Sequence, residues 1–142
     1  MSLVDDPRLL AYRCLTASGE ALLAEASRGL AEHGLTITQF RALNLLRVRG
    51  PLSQKDVAKY VWRSVSNAGF LTTGLERARL ISRNSDPNDG RVVIVSLTDR
   101  GRELLERIVP EHVAEIRRAM SGLAEAECEE LLRLLEKVSP EE

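Results

Sequence analysis

Apolar residues along the first part of the chain recur at helical spacing. Leu9, Leu15, Leu22, Leu23, Ala26 and Leu30 predict one helix over residues 9 to about 32, with Gly34 as its stop. Thr38 is placed to cap a second helix carrying Phe40, Leu43, Leu45 and Leu46, which must finish at Gly50-Pro51 because glycine and proline terminate helices. Ser53 opens a third, short helix. Its hydroxyl can accept a backbone N–H near Asp56, whose charge suits a helix N-terminus, while Val57, Ala58 and Val61 form the inner face. After a turn around Trp62 and Arg63, Ser64 reads as the N-cap of a fourth helix through about Arg79, with Ala68, Leu71 and Leu75 packed inward. Gly69 and Gly74 each weaken it by roughly 1 kcal/mol relative to alanine. A short helix, a turn and a longer helix give the helix-turn-helix order.

The period then changes. Leu80-Ile81-Ser82-Arg83, the polar loop Ser85-Asp86-Pro87-Asn88-Asp89-Gly90 and the run Val92-Val93-Ile94-Val95-Ser96-Leu97 predict a two-stranded β-hairpin. Thr98 caps a fifth helix with Leu104, Leu105, Ile108, Val109, Val113, Ile116 and Met120, kinked at Pro110. A sixth, over about 124 to 138, carries Leu131, Leu132, Leu134, Leu135 and Val138. The expected fold class is mainly α (α+β): a winged helix-turn-helix with about six helices and a two-stranded β-hairpin wing. The first and last helices hold more apolar residues than the unit between them can cover. The same helices of a second copy are the simplest cover, since two-fold homodimers are the commonest oligomers; a private intramolecular bundle is the alternative. The expected organisation is therefore an N-terminal dimerisation helix in residues 1–34, the winged helix-turn-helix in 35–100, and C-terminal dimerisation helices in 101–142.

With 142 residues and 44% hydrophobic content, the chain suits one compact domain. The net charge of -1 hides an uneven distribution. Residues 53–102 carry nine Lys or Arg against five Asp or Glu, whereas residues 103–142 carry five against eleven. A basic middle attracts phosphates in a salt-dependent way, although many solvated surfaces match this excess. The longest charge-free stretch, residues 64–75, is too short and polar to cross a bilayer, and Met1-Ser2-Leu3-Val4-Asp5-Asp6 lacks the features of a signal peptide. A cytoplasmic location with no membrane partner is expected. Cys14 and Cys128 lie near opposite ends without metal-type spacing, so neither a disulfide scaffold nor a zinc cage is indicated.

Several blocks, in order, resemble the MarR family of winged-helix regulators. They are Leu35-Thr36-Ile37-Thr38-Gln39-Phe40, the block from Gly50-Pro51 to Val57-Ala58, Leu75-Glu76 with Leu80-Ile81-Ser82-Arg83, Asp86-Pro87-Asn88-Asp89-Gly90-Arg91, and Leu97-Thr98-Asp99-Arg100-Gly101. The resemblance implies a triangular homodimer with interlocking terminal helices and two lobes on one face of double-stranded DNA. Departures are Arg79, where members usually have glycine, Gly90, where a second basic residue is common, and residues 64–76, which lack Lys and Arg. Base reading then falls to Ser66, Asn67 and Thr73, with Phe70 touching a thymine methyl; the alternatives are helix-start, solvated and core roles. Arg91 is placed to enter a minor groove, held by Asp89, the alternative being an ordinary surface ion pair. Arg63 can bind phosphate beside the free N–H groups of helix four, and the implied DNA-facing set also takes in Ser53, Ser64 and Arg83. Trp62 reads as core.

An enzyme needs a nucleophile with a base, a metal set or a phosphate-cradling loop, and none is readable. Only His33 and His112 are present. His112 lies beside Glu111 and three residues from Glu115, a spacing compatible with zinc; a solvated helix face is the preferred reading, so no cofactor or metal is expected. A winged-helix protein-interaction adaptor is a second alternative. Resemblance to peroxide-sensing members makes Cys14 a third, although residues 15–40 hold no tyrosine to position it and its neighbour Arg13 does not face it on a helix. The favoured function is a sequence-specific regulator, a repressor on a pseudo-palindromic site. By resemblance, it is released by a small aromatic or anionic effector bound between the dimerisation helices and the winged lobe.

Overall fold

The computed structural model describes residues 5–62 and 68–139. These form α1 (Pro7–Ala31), α2 (Ile37–Arg49), β1 (Leu52–Ser53), α3 (Gln54–Trp62), α4 (Ala68–Arg77), β2 (Ile81–Ser85), β3 (Val93–Leu97), α5 (Asp99–Ala119) and α6 (Glu125–Glu136). Helix starts follow local chemistry. Asp6 accepts from Arg8 N at 2.9 Å ahead of Pro7, and Thr98 Oγ1 accepts from Gly101 N at 3.1 Å. The cap of α2 is Thr36 and not Thr38: Thr36 Oγ1 accepts from Gln39 N at 3.1 Å, while Gln39 Oε1 accepts from Thr36 N at 3.0 Å. This reciprocal box requires a glutamine three residues after the cap, a spacing that Thr36 has and Thr38 lacks.

Two helices end in the same way. After α1, Leu35 N donates to Leu30 O at 3.1 Å across Gly34, which has φ 75°. After α4, Leu80 N donates to Leu75 O at 3.0 Å and Arg79 N to Glu76 O at 2.9 Å, across Arg79 at φ 60°. Both are Schellman turns, with the apolar residue after the turn buried alongside the one it bonds. The fourth helix therefore stops at Arg77, short of the expected Arg79. The fifth runs unbroken through Pro110, which has no N–H to give the carbonyl of the exposed residue Glu106 its intrahelical donor.

The expected two-stranded hairpin wing is β2–β3, and a short β1 adds a third strand to its sheet, in the order β1-β3-β2, all antiparallel. Ile81 pairs with Leu97 and Ser85 with Val93, while Leu52 and Ser53 cover the other edge of β3 opposite Val95 and Ile94. A two-residue strand has no periodicity of its own; it forms because β3 otherwise presents an unpaired edge. One core joins α2, the sheet, the helix-turn-helix and α5, through Phe40, Leu43, Val57, Leu75, Val95 and Leu105 among others. At Gly101 a side chain would strike the Leu80 carbonyl oxygen and lie 2.8 Å from Leu97 Cδ1, so glycine permits the start of α5 to sit on the α4–β2 turn. Thr98 fastens the same junction by donating from Oγ1 to Arg79 O at 2.7 Å. Of α1 only Leu30 is buried, and no residue of α6 is. Leu9, Leu10, Tyr12, Leu15, Leu132 and Val138 stand exposed instead.

Candidate nucleic-acid interface

The wing tip is built by short polar side chains. Asp86 Oδ1 accepts from Asn88 N at 2.8 Å, and Asp86 N donates to Val92 O at 2.8 Å, which closes the loop between β2 and β3. Asp89 then receives Arg91 three times: backbone N to Oδ1 at 3.1 Å, Nε to Oδ1 at 3.2 Å, and Nη2 to Oδ2 at 3.5 Å. The side chain of Arg91 is 92% exposed and that of Asp89 is 42% exposed. Hydrogen bonds from the Arg91 side chain and backbone hold the Asp89 carboxyl below its ordinary range, against a small opposing effect of burial. An ion pair this exposed adds little stability and is screened by salt. Its consequence is orientation: the guanidinium projects from the tip beside Asp89 with donors left over.

Ser53 serves the helix start, its Oγ accepting from Asp56 N at 3.1 Å, and its backbone belongs to β1. Arg63, Ser64, Ser66 and Asn67 lie outside the described residues, as does the cap expected at Ser64. Phe70 falls within α4, its side chain outside the description, as is that of Trp62; Thr73 is half-buried on the same helix. Arg83 points inward. It stands two residues from buried Ile81, and strand alternation puts both on one face. There Arg83 Nη2 donates to Glu76 Oε1 at 3.1 Å, and Nη1 lies 3.5 Å from both Gln54 Oε1 and Thr72 Oγ1. Gln54, Thr72 and Glu76 were absent from the expected site; the alternation of β2, which puts Arg83 on the face of Ile81, was the available signal that Arg83 has partners inside the fold.

The structure corrects the reading of His112 as part of a solvated face. It is 9% exposed, with its ring centroid 4.5 Å from that of Phe40. Leu105, Ile108 and His112 follow one another at steps of three and four, so His112 continues the core stripe of α5. Burial pushes the imidazole pKa down, Glu115 opposes this, and Arg41 reinforces it. Its Nδ1 is buried without a hydrogen-bond partner among the described residues. His112 and Arg41 line a cleft of about 310 Å³ with Leu22, Ala26, Phe40 and Ile116, between α1, α2 and α5. His33 Nε2 meets Glu111 Oε2 at 2.8 Å and ties the end of α1 to α5. Among the described residues no three His, Cys, Asp or Glu side chains converge as a metal site would require. Cys14 is exposed on α1 and Cys128 is half-buried on α6.

Comparison with known proteins agrees with this geometry. The MarR family model matches residues 35–93. The HTH-type transcriptional regulator YkoM of Bacillus subtilis is 35% identical over 126 residues, which cover 89% of this chain and 82% of YkoM. Among solved structures, the MarR family regulator Sco3205 of Streptomyces coelicolor, in complex with DNA, superposes with a TM-score of 0.86 at 26% identity, over 94% of this chain and 90% of that one. BpsR of Bordetella bronchiseptica, whose DNA binding is regulated by 6-hydroxynicotinic acid, superposes at 0.83 with 27% identity, over 100% and 99%. With helix-turn-helix, wing and terminal helices all matched, the chain belongs to the MarR family of transcriptional regulators.

Proposed function

We propose that this protein is a homodimeric, sequence-specific DNA-binding repressor in the cytoplasm, a binding protein and not an enzyme. The observation that carries the reading is the wing tip, where Asp89 holds an almost fully exposed Arg91 guanidinium beside a helix-turn-helix. In this reading α4 enters a major groove, with Asn67 and Ser66 at base edges, and Arg91 enters the adjoining minor groove. Arg63 and the caps at Ser53 and Ser64 lie along the phosphates. Residues 1–34 and 101–142 form the dimer, because the exposed leucines of α1 and α6 need a second apolar surface. No described helix is long and apolar enough to cross a membrane. Selection from random duplexes tests the reading. The expected product is a pseudo-palindrome with half-sites about 10 base pairs apart; absence of enrichment overturns it.

A small aromatic or anionic effector fits the cleft of about 310 Å³, where Arg41 supplies positive charge, Phe40 an aromatic face and His112 an unused nitrogen. Release requires the effector to bind the DNA-incompetent arrangement more tightly, and DNA then weakens effector binding by the same factor. Calorimetry of 6-hydroxynicotinic acid and related aromatic acids, with and without the selected duplex, checks this. Equal affinities in both titrations exclude release by that compound.

A further inference from the structure

The side chains of Gln54, Thr72, Glu76 and Arg83 meet where three elements join: the first residue of α3, the middle of α4 and the inward face of β2. Thr72, only 1% exposed, donates from Oγ1 to Gln54 Oε1 at 3.0 Å. Arg83, with 27% of its side chain exposed, gives its best bond to Glu76 and reaches the other two at 3.5 Å. The planar fork of arginine is suited to several acceptors at once, and lysine is not. To grip phosphate, Arg83 would have to give up its bond to Glu76 and its approach to Thr72 and Gln54 together. We infer that Arg83 is a positioning residue that braces α4 and the wing at a fixed relative placement through Glu76, Thr72 and Gln54, and does not itself hold DNA. The inference rests on the DNA-binding reading above. Its physical content is that α4 and the wing address different grooves of one duplex, so small changes in their spacing prevent both from seating together.

The test is the sign of one effect. Removing the Glu76 charge frees Arg83 and takes a negative charge away from DNA, so Glu76→Gln tightens binding if Arg83 is a phosphate ligand. If Arg83 is the brace, the same change weakens binding. The measurement is fluorescence anisotropy on the duplex selected by the wild-type protein, at several salt concentrations, on variants shown to be folded by circular dichroism. We expect Glu76→Gln and Arg83→Lys each to weaken binding about tenfold, the size typical of coupled neighbours in one network. The dependence of log affinity on log salt should keep the wild-type slope. Tighter binding by Glu76→Gln, full rescue by Arg83→Lys, or a slope reduced by about 0.9 in Arg83→Ala overturns the inference in favour of phosphate contact. A lowered melting temperature with wild-type affinity also overturns it, since the network then only stabilises the fold. If the wild-type protein selects no duplex, the DNA reading itself fails and takes the inference with it. Should Arg83→Ala not fold, Glu76→Gln at its half-exposed site still decides the sign.

Discussion

Arg79→Gly should make the protein more stable, although it removes a side chain. Arg79 sits in the left-handed region at φ 60°, as the turn residue between α4 and β2, with its side chain exposed. The left-handed conformation costs an L-residue roughly 1–2 kcal/mol through contact of Cβ with the following carbonyl, and glycine escapes that cost. Glycine in turn makes the unfolded chain more flexible, an opposing effect of about 0.5–1 kcal/mol. The difference favours the folded variant by ~0.5–1 kcal/mol, and with an unfolding entropy of about 2.1 cal/mol/K per residue the melting temperature should rise by ~2–3 °C. Arg79→Ala is the control, since it removes the same charge and keeps the Cβ. Both variants should be melted at one protomer concentration, because association of subunits shifts the midpoint. Glycine and alanine variants of equal stability would refute the reasoning, showing that the turn carries no left-handed cost.

At the other side of that junction, Gly101→Ala drives a methyl against the Leu80 carbonyl and should destabilise the fold by about 1–3 kcal/mol in denaturant titrations; a neutral result would mean that α5 moves off the turn freely. His112 gives a pH dependence with a defined sign. Burial lowers its folded pKa below 6.5, so the unfolded chain binds the proton more readily. Its contribution is fully present above about 6.5 and is lost as the pH falls from there towards the folded pKa. Unfolding free energies measured from pH 7.5 to 5 should fall more steeply for the wild type than for His112→Leu, and parallel curves would contradict the assignment. For the thiol alternative, Cys14→Ser should leave reduced-state DNA affinity unchanged; it should abolish any loss of DNA binding on peroxide treatment if that thiol is the sensor.

Much of this architecture was legible because helices of three or more turns declare themselves by spacing, as α1 and α5 do. Errors fell where spacing gives no signal. Thr36 and Thr38 are both capping residues, and only the partner three positions on, Gln39, separates them. β1 is two residues long and owes its existence to the edge of β3, a tertiary cause. The unusual arginine at position 79 stood out in the sequence as a missing glycine, and the structure supplies the reason, since the chain there has the backbone angle that glycine favours. His112 was misread because its polarity was weighed above its place seven residues after Leu105. At the wing tip, the contact between Asp89 and Arg91 was legible from the family pattern and their separation of two in a hairpin loop, and the structure shows it. The inward turn of Arg83 was missed because charge suggests a surface role, while strand alternation from Ile81 already put it on the buried face.

The central claim is that the Asp89–Arg91 tip reads a minor groove. The most direct measurement is competition binding of wild type and Arg91→Ala on the selected duplex, with flanks either A·T-rich or G·C-rich, over a range of salt. Wild type should prefer the A·T-rich flanks, and Arg91→Ala should bind more weakly and lose that preference, with Asp89→Ala a milder version of the same loss. Wild-type binding without flank or site preference, unchanged in Arg91→Ala, would contradict the account and leave the winged helix as a protein-interaction surface.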